Sequence, residues 1–220
     1  MTDDSRKIPS HELTYARLRD MVLFGHLAPG QPVTIQGLTA ELGAGMTPVR
    51  EAIRRLTAEG ALSPQGNRRV AVPPMTLAAL DQVGFARLAI EPELARRACP
   101  MLTPERIAAL EVIDERVTRA MEAGDLPGYL GANHDFHFTL YDLAGAPVLS
   151  DLARSLWLRA GPSLREVMGR FGPAGLPDLH HEALAAMRAG DAPALAAAVA
   201  RDIAQGLDQI RAALAGDAAG

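Results

Sequence analysis

Cysteine occurs once in the 220-residue chain, at Cys99. A single thiol excludes an internal disulfide framework and fits a reducing cytoplasm. Aromatic residues make up only 4% of the chain and β-branched runs are short. Ala and Leu dominate instead, which favours helix. No apolar run approaches membrane-spanning length, and the opening MTDDSRKIPSHEL has no apolar signal core. A soluble cytoplasmic protein with no membrane partner is therefore expected. There is no internal repeat, and no low-complexity segment beyond an Ala-rich stretch at 192–200. The metalloprotease pattern HExxH is also missing, because no second His follows His181-Glu182 at that spacing.

What is present supports a folded, mainly α protein. Hydrophobic residues reach 48%, enough to bury a core and too many for a disordered chain. The formal charge of −4 hides an asymmetry. Residues 1–74 carry nine Lys/Arg against seven Asp/Glu, whereas residues 75–220 carry thirteen against nineteen. Five arginines (50, 54, 55, 68 and 69) fall within 50–69, against Glu51 and Glu59. A locally basic segment on an acidic chain suggests that one end meets a polyanion.

The boundary lies in VAVPPMTL, residues 70–77, where two consecutive prolines stop any helix or central strand. It predicts domains over 1–74 and 75–220. In the first, the pattern predicts helices over about 12–24, 35–42 and 48–59. Thr34 should cap the second helix. Thr47 should cap the third, with Pro48 at the first helical position. Gly43-Ala44-Gly45-Met46 forms the turn between them, and Gly60 ends the third helix. ALS and RVAV read as two short strands around Pro64-Gln65-Gly66-Asn67-Arg68, a small hairpin. After the boundary, six helical segments are expected over about 77–98, 103–123, 126–143, 147–169, 177–189 and 192–214. Gly- or Pro-containing breaks separate them, with Thr76, Thr103, Asp125 and Asp191 as caps. Short links between six helices imply an all-α antiparallel bundle.

On a helical wheel over 47–58, Val49, Ile53 and Leu56 share one side, while Thr47, Arg50 and Arg54 share another. A helix that buries one side and offers Arg and Thr from its first turns suits the major groove of duplex DNA. The preceding helix and turn would complete a helix-turn-helix, and Arg68 and Arg69 at the hairpin tip would form a wing. The plainer alternative is a three-helix domain with solvated arginines.

The stretch from Tyr15 to Leu62, YARLRDMVLFGHLAPGQPVTIQGLTAELGAGMTPVREAIRRLTAEGAL, resembles the winged helix of the GntR family of bacterial repressors. The features that carry the resemblance are the APG turn, LxxELG and TPVREAIRRLxxEG, within a match from about Thr14 to Val72. It implies that Arg50 contacts operator DNA, with Thr47 and Arg54 beside it. The family usually has Ser-Arg where this chain has Gly45-Met46, and often a basic residue at Gln36. Base preference is therefore expected to depart from the family norm.

The second domain holds four of the six histidines, as His134/His137 and His180/His181. Asn133 and His137, four apart, project from one helix face, while His180 and Asp202 lie on two later helices. Such side chains can converge in a bundle core and bind a metal. Equally, His pairs on helices serve as surface or core polar residues. The stretches FARLAIEPELARRA, NHDFHFTLYDLAGAPVL and HHEALAAMRAGDAPALAAAVARDI are similar to the FCD ligand-binding domain of the FadR subfamily. That similarity spans about 77–214 and implies a divalent metal, of zinc, nickel or manganese type, held by Asn133, His137, His180 and Asp202. In the family pattern an Asp stands at the position of Asn133 and a His at that of Asp202. The exchange preserves the charge of the set and makes it richer in oxygen. Loss of the metal, with the polar pocket touching an effector directly, is the competing expectation. His134 and His181 are neighbouring substitutes.

The resemblance further implies a small carboxylate effector beside the metal. Arg87 is the candidate effector contact, and a salt bridge to Glu91 is its alternative role. Together these features imply a ligand-responsive transcription regulator that works as a homodimer on double-stranded operator DNA and is not an enzyme. The alternatives are a helical metalloenzyme using His137, His180 and Asp202, or a DNA-binding protein with an inert dimerisation bundle.

Overall fold

A computed structural model describes residues 10–171 and 179–217. The chain divides into two compact units, Met1–Pro74 and Met75–Gly220. The first contains α1 (Ser10–Leu23), β1 (Val33–Thr34), α2 (Ile35–Leu42), α3 (Met46–Ala58), β2 (Ser63–Pro64) and β3 (Arg69–Ala71). Its core is built from Leu18 and Val22 of α1, Leu38 and Leu42 of α2, and Val49 and Leu56 of α3, each at most 1% exposed. These are the apolar positions at helical spacing in the sequence. Tyr15 braces α1 against α3. Its hydroxyl donates to both carboxylate oxygens of Glu59, at 2.9 and 3.0 Å, and the Arg55 guanidinium lies over its ring. Burial, then the Glu59 contact, pushes the phenol up to about 12.

Two expectations for this unit need correction. Helix α3 begins at Met46, and its N-cap is Gly45, which makes no side-chain capping bond. Thr47 is therefore inside the helix and does not cap it. Pro48 becomes the third helical residue, where the missing N–H is still one that no helix turn would use. The two-strand hairpin is a three-stranded antiparallel sheet of order β1-β3-β2, with Val33 opposite Val70 and Ser63 opposite Ala71. Two residues of β1 carry no periodicity that a sequence pattern could register. Thr34 does cap α2, accepting from the Gly37 N–H, and Gly43 ends that helix in the left-handed region at φ 57°.

The second unit contains α4 (Leu77–Ala98), a 3-10 turn over Cys99–Met101, α5 (Pro104–Ala123), α6 (Leu126–Asp142), α7 (Pro147–Phe171), α8 (His180–Ala189) and α9 (Ala192–Asp217). The six expected helices are present. The start assigned to the fifth, at 177–178, and the break over 172–178 lie outside the described residues, as does most of MTDDSRKIPSHEL. Thr76, Thr103, Asp125 and Asp191 each accept from the backbone N–H three residues on. Pro92 and Pro162 sit inside α4 and α7, where packing overrides the lost backbone bond. Helix α4 packs on α6, α7 and α9, and α5 packs on α6 and α8. A Cβ on Gly84 would come within 3.0 Å of Leu207 Cδ1, so this glycine permits the close approach of α4 and α9. Among the described residues, no helix is long and apolar enough to cross a membrane.

Candidate DNA-reading surface and candidate metal centre

Helix α3 has two chemically distinct sides. Val49, Ile53 and Leu56 are buried, while Thr47, Arg50 and Arg54 are exposed, as the wheel requires. Arg54 is bound to Glu51, with Nε–Oε2 at 3.0 Å and Nη2–Oε1 at 2.6 Å. Arg50 has no ion-pair partner among the described residues, so its guanidinium is free for another acceptor. Gln36, in the first turn of α2, is also exposed.

At the turn between β2 and β3, Gly66, Asn67 and Arg68 all have positive φ (69°, 45° and 58°). Asn tolerates the left-handed region, whereas for Arg it costs about 1–2 kcal/mol. The Arg68 carbonyl accepts from the Ile35 N–H at 3.1 Å, which ties the turn to the start of α2. Arg68 and Arg69 are both exposed.

In the second unit, α6, α8 and α9 bring His137, His180 and Asp202 together, with one ligand atom from each lying within 4.8 Å of the others. The two His side chains are buried and Asp202 is 26% exposed. His137 Nε2 lies 3.0 Å from Asp202 Oδ2 and has no hydrogen-bond partner of acceptable geometry. Burial pushes the Asp202 carboxyl up. The contact with His137, and the charges of His180 and Arg87, pull it further down, below the ordinary carboxylate range. His180 stacks on Phe136, with ring centroids 4.0 Å apart, and its Nδ1 lies 2.8 Å from Asp114 Oδ1. An ionised carboxylate can only accept, so His180 Nδ1 carries the proton. Holding the far ring nitrogen of a His with a carboxylate is a regular feature of metal-binding imidazoles.

Asn133 is buried on α6, one turn ahead of His137. His134 contacts the rings of Phe138 and Trp157, and His181 is exposed. Neither belongs to the gathered set. Two imidazoles and a carboxylate converging in this way form a donor set that fits a divalent cation of zinc, nickel or manganese type.

Arg87 is buried against Glu91, with Nε–Oε1 at 2.5 Å and Nη2–Oε2 at 3.2 Å, and its guanidinium lies 4.7 Å from the Trp157 ring. Glu91, fully buried, also accepts from the Tyr141 hydroxyl and from Trp157 Nε1, both at 2.9 Å. Sequence reasoning had Glu91 only as a partner for Arg87, and it missed Asp114, Tyr141 and Trp157. Tyr141, four residues after His137 on α6, had a local signal; Asp114 had none.

Comparison with known proteins follows the same division. Residues 11–72 match the bacterial regulatory proteins of the gntR family, and residues 82–205 match the FCD domain. The chain is 32% identical over 177 residues to the HTH-type transcriptional regulator McbR of Escherichia coli K12, covering 79% of this chain and 80% of that protein. The solved structure of E. coli McbR/YncC superposes with a TM-score of 0.89 at 28% identity, covering 93% of this chain and 98% of that one. A GntR regulator candidate from Rhodococcus sp. RHA1 gives a TM-score of 0.72 at 25% identity, covering 92% and 98%. These relatives are regulators and do not favour the metalloenzyme alternative. The chain is a transcription regulator of the GntR family, in the FadR subfamily whose members carry an FCD domain behind the winged helix.

Proposed function

We propose that the protein is a homodimeric repressor that reads operator DNA with α3 and the β2–β3 turn, and that a small carboxylic acid controls it through the FCD domain. The observation that carries the reading is the outward Thr47, Arg50 and Arg54 face on a helix whose opposite side is buried. Thr47 and the start of α3 suit phosphate, Arg50 suits a guanine edge or a phosphate, and Arg54 supports them. Gln36 would touch the backbone from α2. Arg68 and Arg69 would reach the adjacent groove, and the left-handed backbone at Arg68 suits a side chain retained for contact rather than for turn stability.

In the bundle, His137, His180 and Asp202 would hold a divalent ion, with Asn133 as a fourth donor. The cation would supply a positive charge for an organic acid, and Arg87 would supply a second. An acid reaching Arg87 has to compete with Glu91, whose carboxylate accepts two hydrogen bonds from the guanidinium. Effector binding would then shift the protein between states of different operator affinity. A thermal-shift screen of small mono- and dicarboxylates, with and without zinc, nickel or manganese salts, tests this. A true effector at about one hundred times its Kd stabilises by about 2.7 kcal/mol, and the effect should be larger with metal present. No shift with any acid under either condition would end the carboxylate reading.

Two-fold reading of two half-sites requires two copies. Helices α4 and α7 pack on each other, and each leaves large apolar side chains in solvent. Phe85 is 78% exposed and Val148 72%, with Leu88 and Leu152 also exposed. Such exposure is costly on a monomer, and a second copy of the chain is the occupant proposed here. Sedimentation should give a dimer for the wild type and a monomer for Phe85→Glu combined with Val148→Glu. A monomeric wild type would remove the two-half-site mechanism.

A further inference from the structure

Glu91, Tyr141 and His137 form a chain of hydrogen bonds that runs from the buried Arg87 pair to the candidate metal centre. Tyr141 is fully buried, and its hydroxyl lies between the two others, 2.9 Å from Glu91 Oε2 and 3.1 Å from His137 Nδ1. The hydroxyl has one proton. Glu91 is bound by the Arg87 guanidinium and by Trp157 Nε1, and as a carboxylate it can only accept. The Tyr141 proton therefore goes to Glu91. The Tyr141 oxygen is left as an acceptor, and the group facing it, His137 Nδ1, must carry a proton.

With the proton held on Nδ1, the second ring nitrogen is the ligand. His137 Nε2 has no hydrogen-bond partner of acceptable geometry, although Asp202 Oδ2 is 3.0 Å away. A cation lying between Nε2 and Oδ2 would be bound by both. We propose that Tyr141, anchored by Glu91, is a positioning residue that keeps the His137 proton on Nδ1, so that Nε2 and Asp202 together face a divalent cation. The proposal rests on the reading of His137, His180 and Asp202 as metal ligands. Glu91 holds both Arg87 and Tyr141, so an acid that competes for Arg87 disturbs the same carboxylate that orients the metal ligand. The relay thereby gives effector binding a physical route to metal affinity, and by linkage metal binding a route to effector affinity.

Full-length, metal-stripped protein labelled with 15N tests the relay directly. Long-range 1H–15N spectra of the wild type should show a proton on His137 Nδ1; a neutral imidazole protonated only on Nε2 overturns the proposal. In Tyr141→Phe the Nδ1 proton loses its acceptor and should move to Nε2, facing Asp202. Competitive zinc titration against a chromophoric chelator should then show affinity about 10–100-fold weaker than wild type. Unchanged affinity in a folded Tyr141→Phe, or weaker affinity without the proton shift, overturns the positioning role and leaves the ligand assignment standing. If wild type binds no zinc, nickel or manganese, the ligand assignment itself falls, and the relay with it. Should Tyr141→Phe fail to fold, the wild-type spectrum decides.

Discussion

Replacing Arg50 with Ala should weaken binding to a selected operator by about 1–3 kcal/mol, roughly 5- to 150-fold, with helical content unchanged. The fold survives because Arg50 is exposed and packs no core, while the α3 contacts at Val49, Ile53 and Leu56 stay in place. The effect is larger than for Arg54→Ala because the Arg54 guanidinium is already engaged by both oxygens of Glu51. Arg54 must share or exchange that partner to reach DNA, whereas Arg50 brings an uncompensated charge. The measurement is fluorescence anisotropy on a fragment selected by wild type from a random-sequence library, at two or more salt concentrations. A contact to a base edge lowers affinity mainly for the selected site. A contact to phosphate lowers it for all sequences and reduces the salt slope by about one. Affinity equal to wild type at moderate salt would remove α3 as the recognition helix.

The second large effect is expected at the centre of the bundle. Purified wild type should carry about one divalent ion per chain by elemental analysis, and His137→Ala should carry essentially none. His137 is 1% exposed, and it is the imidazole whose Nε2 meets the Asp202 carboxylate. Removing it leaves one His, one carboxylate and the weakly donating Asn133 amide, too few for a stable site, and it opens a cavity beside Trp157 and Tyr141. His137→Gln, which fills more of that volume, separates metal loss from loss of packing. It should lose the ion while unfolding closer to the metal-free wild type. Metal-free wild type that still responds fully to an effector would end the metal reading.

Much of the winged-helix unit was legible because its signals are local. Thr34 caps α2, Gly43 closes it, and the apolar spacing in 47–58 gives the buried side of α3. In the bundle, Thr76, Thr103, Asp125 and Asp191 mark helix starts through a bond that spans three residues. The α3 cap was misread because Thr-Pro is a good helix opening by preference. The chain instead turns the helix two residues earlier, at Met46, and leaves Gly45 to form the corner. Strand β1 was invisible because a two-residue strand exists only through its partner, β3, some 36 residues away.

By itself the sequence determined which segments are helical, the caps of most of them, which side of α3 faces outward, and, through resemblance, that His137, His180 and Asp202 form one set. Those properties depend on residues a few positions apart, or on a pattern that spans the whole chain. Only the tertiary structure decided what surrounds the set. Asp114 reaches His180 from 66 residues away, and Trp157 reaches Glu91 across the same separation. Glu91, four residues from Arg87, turned out to hold Tyr141 as well, and through it the His137 ring. Proton placement on a buried imidazole is set by whichever acceptor packing brings to its far nitrogen, and no spacing along the chain encodes that.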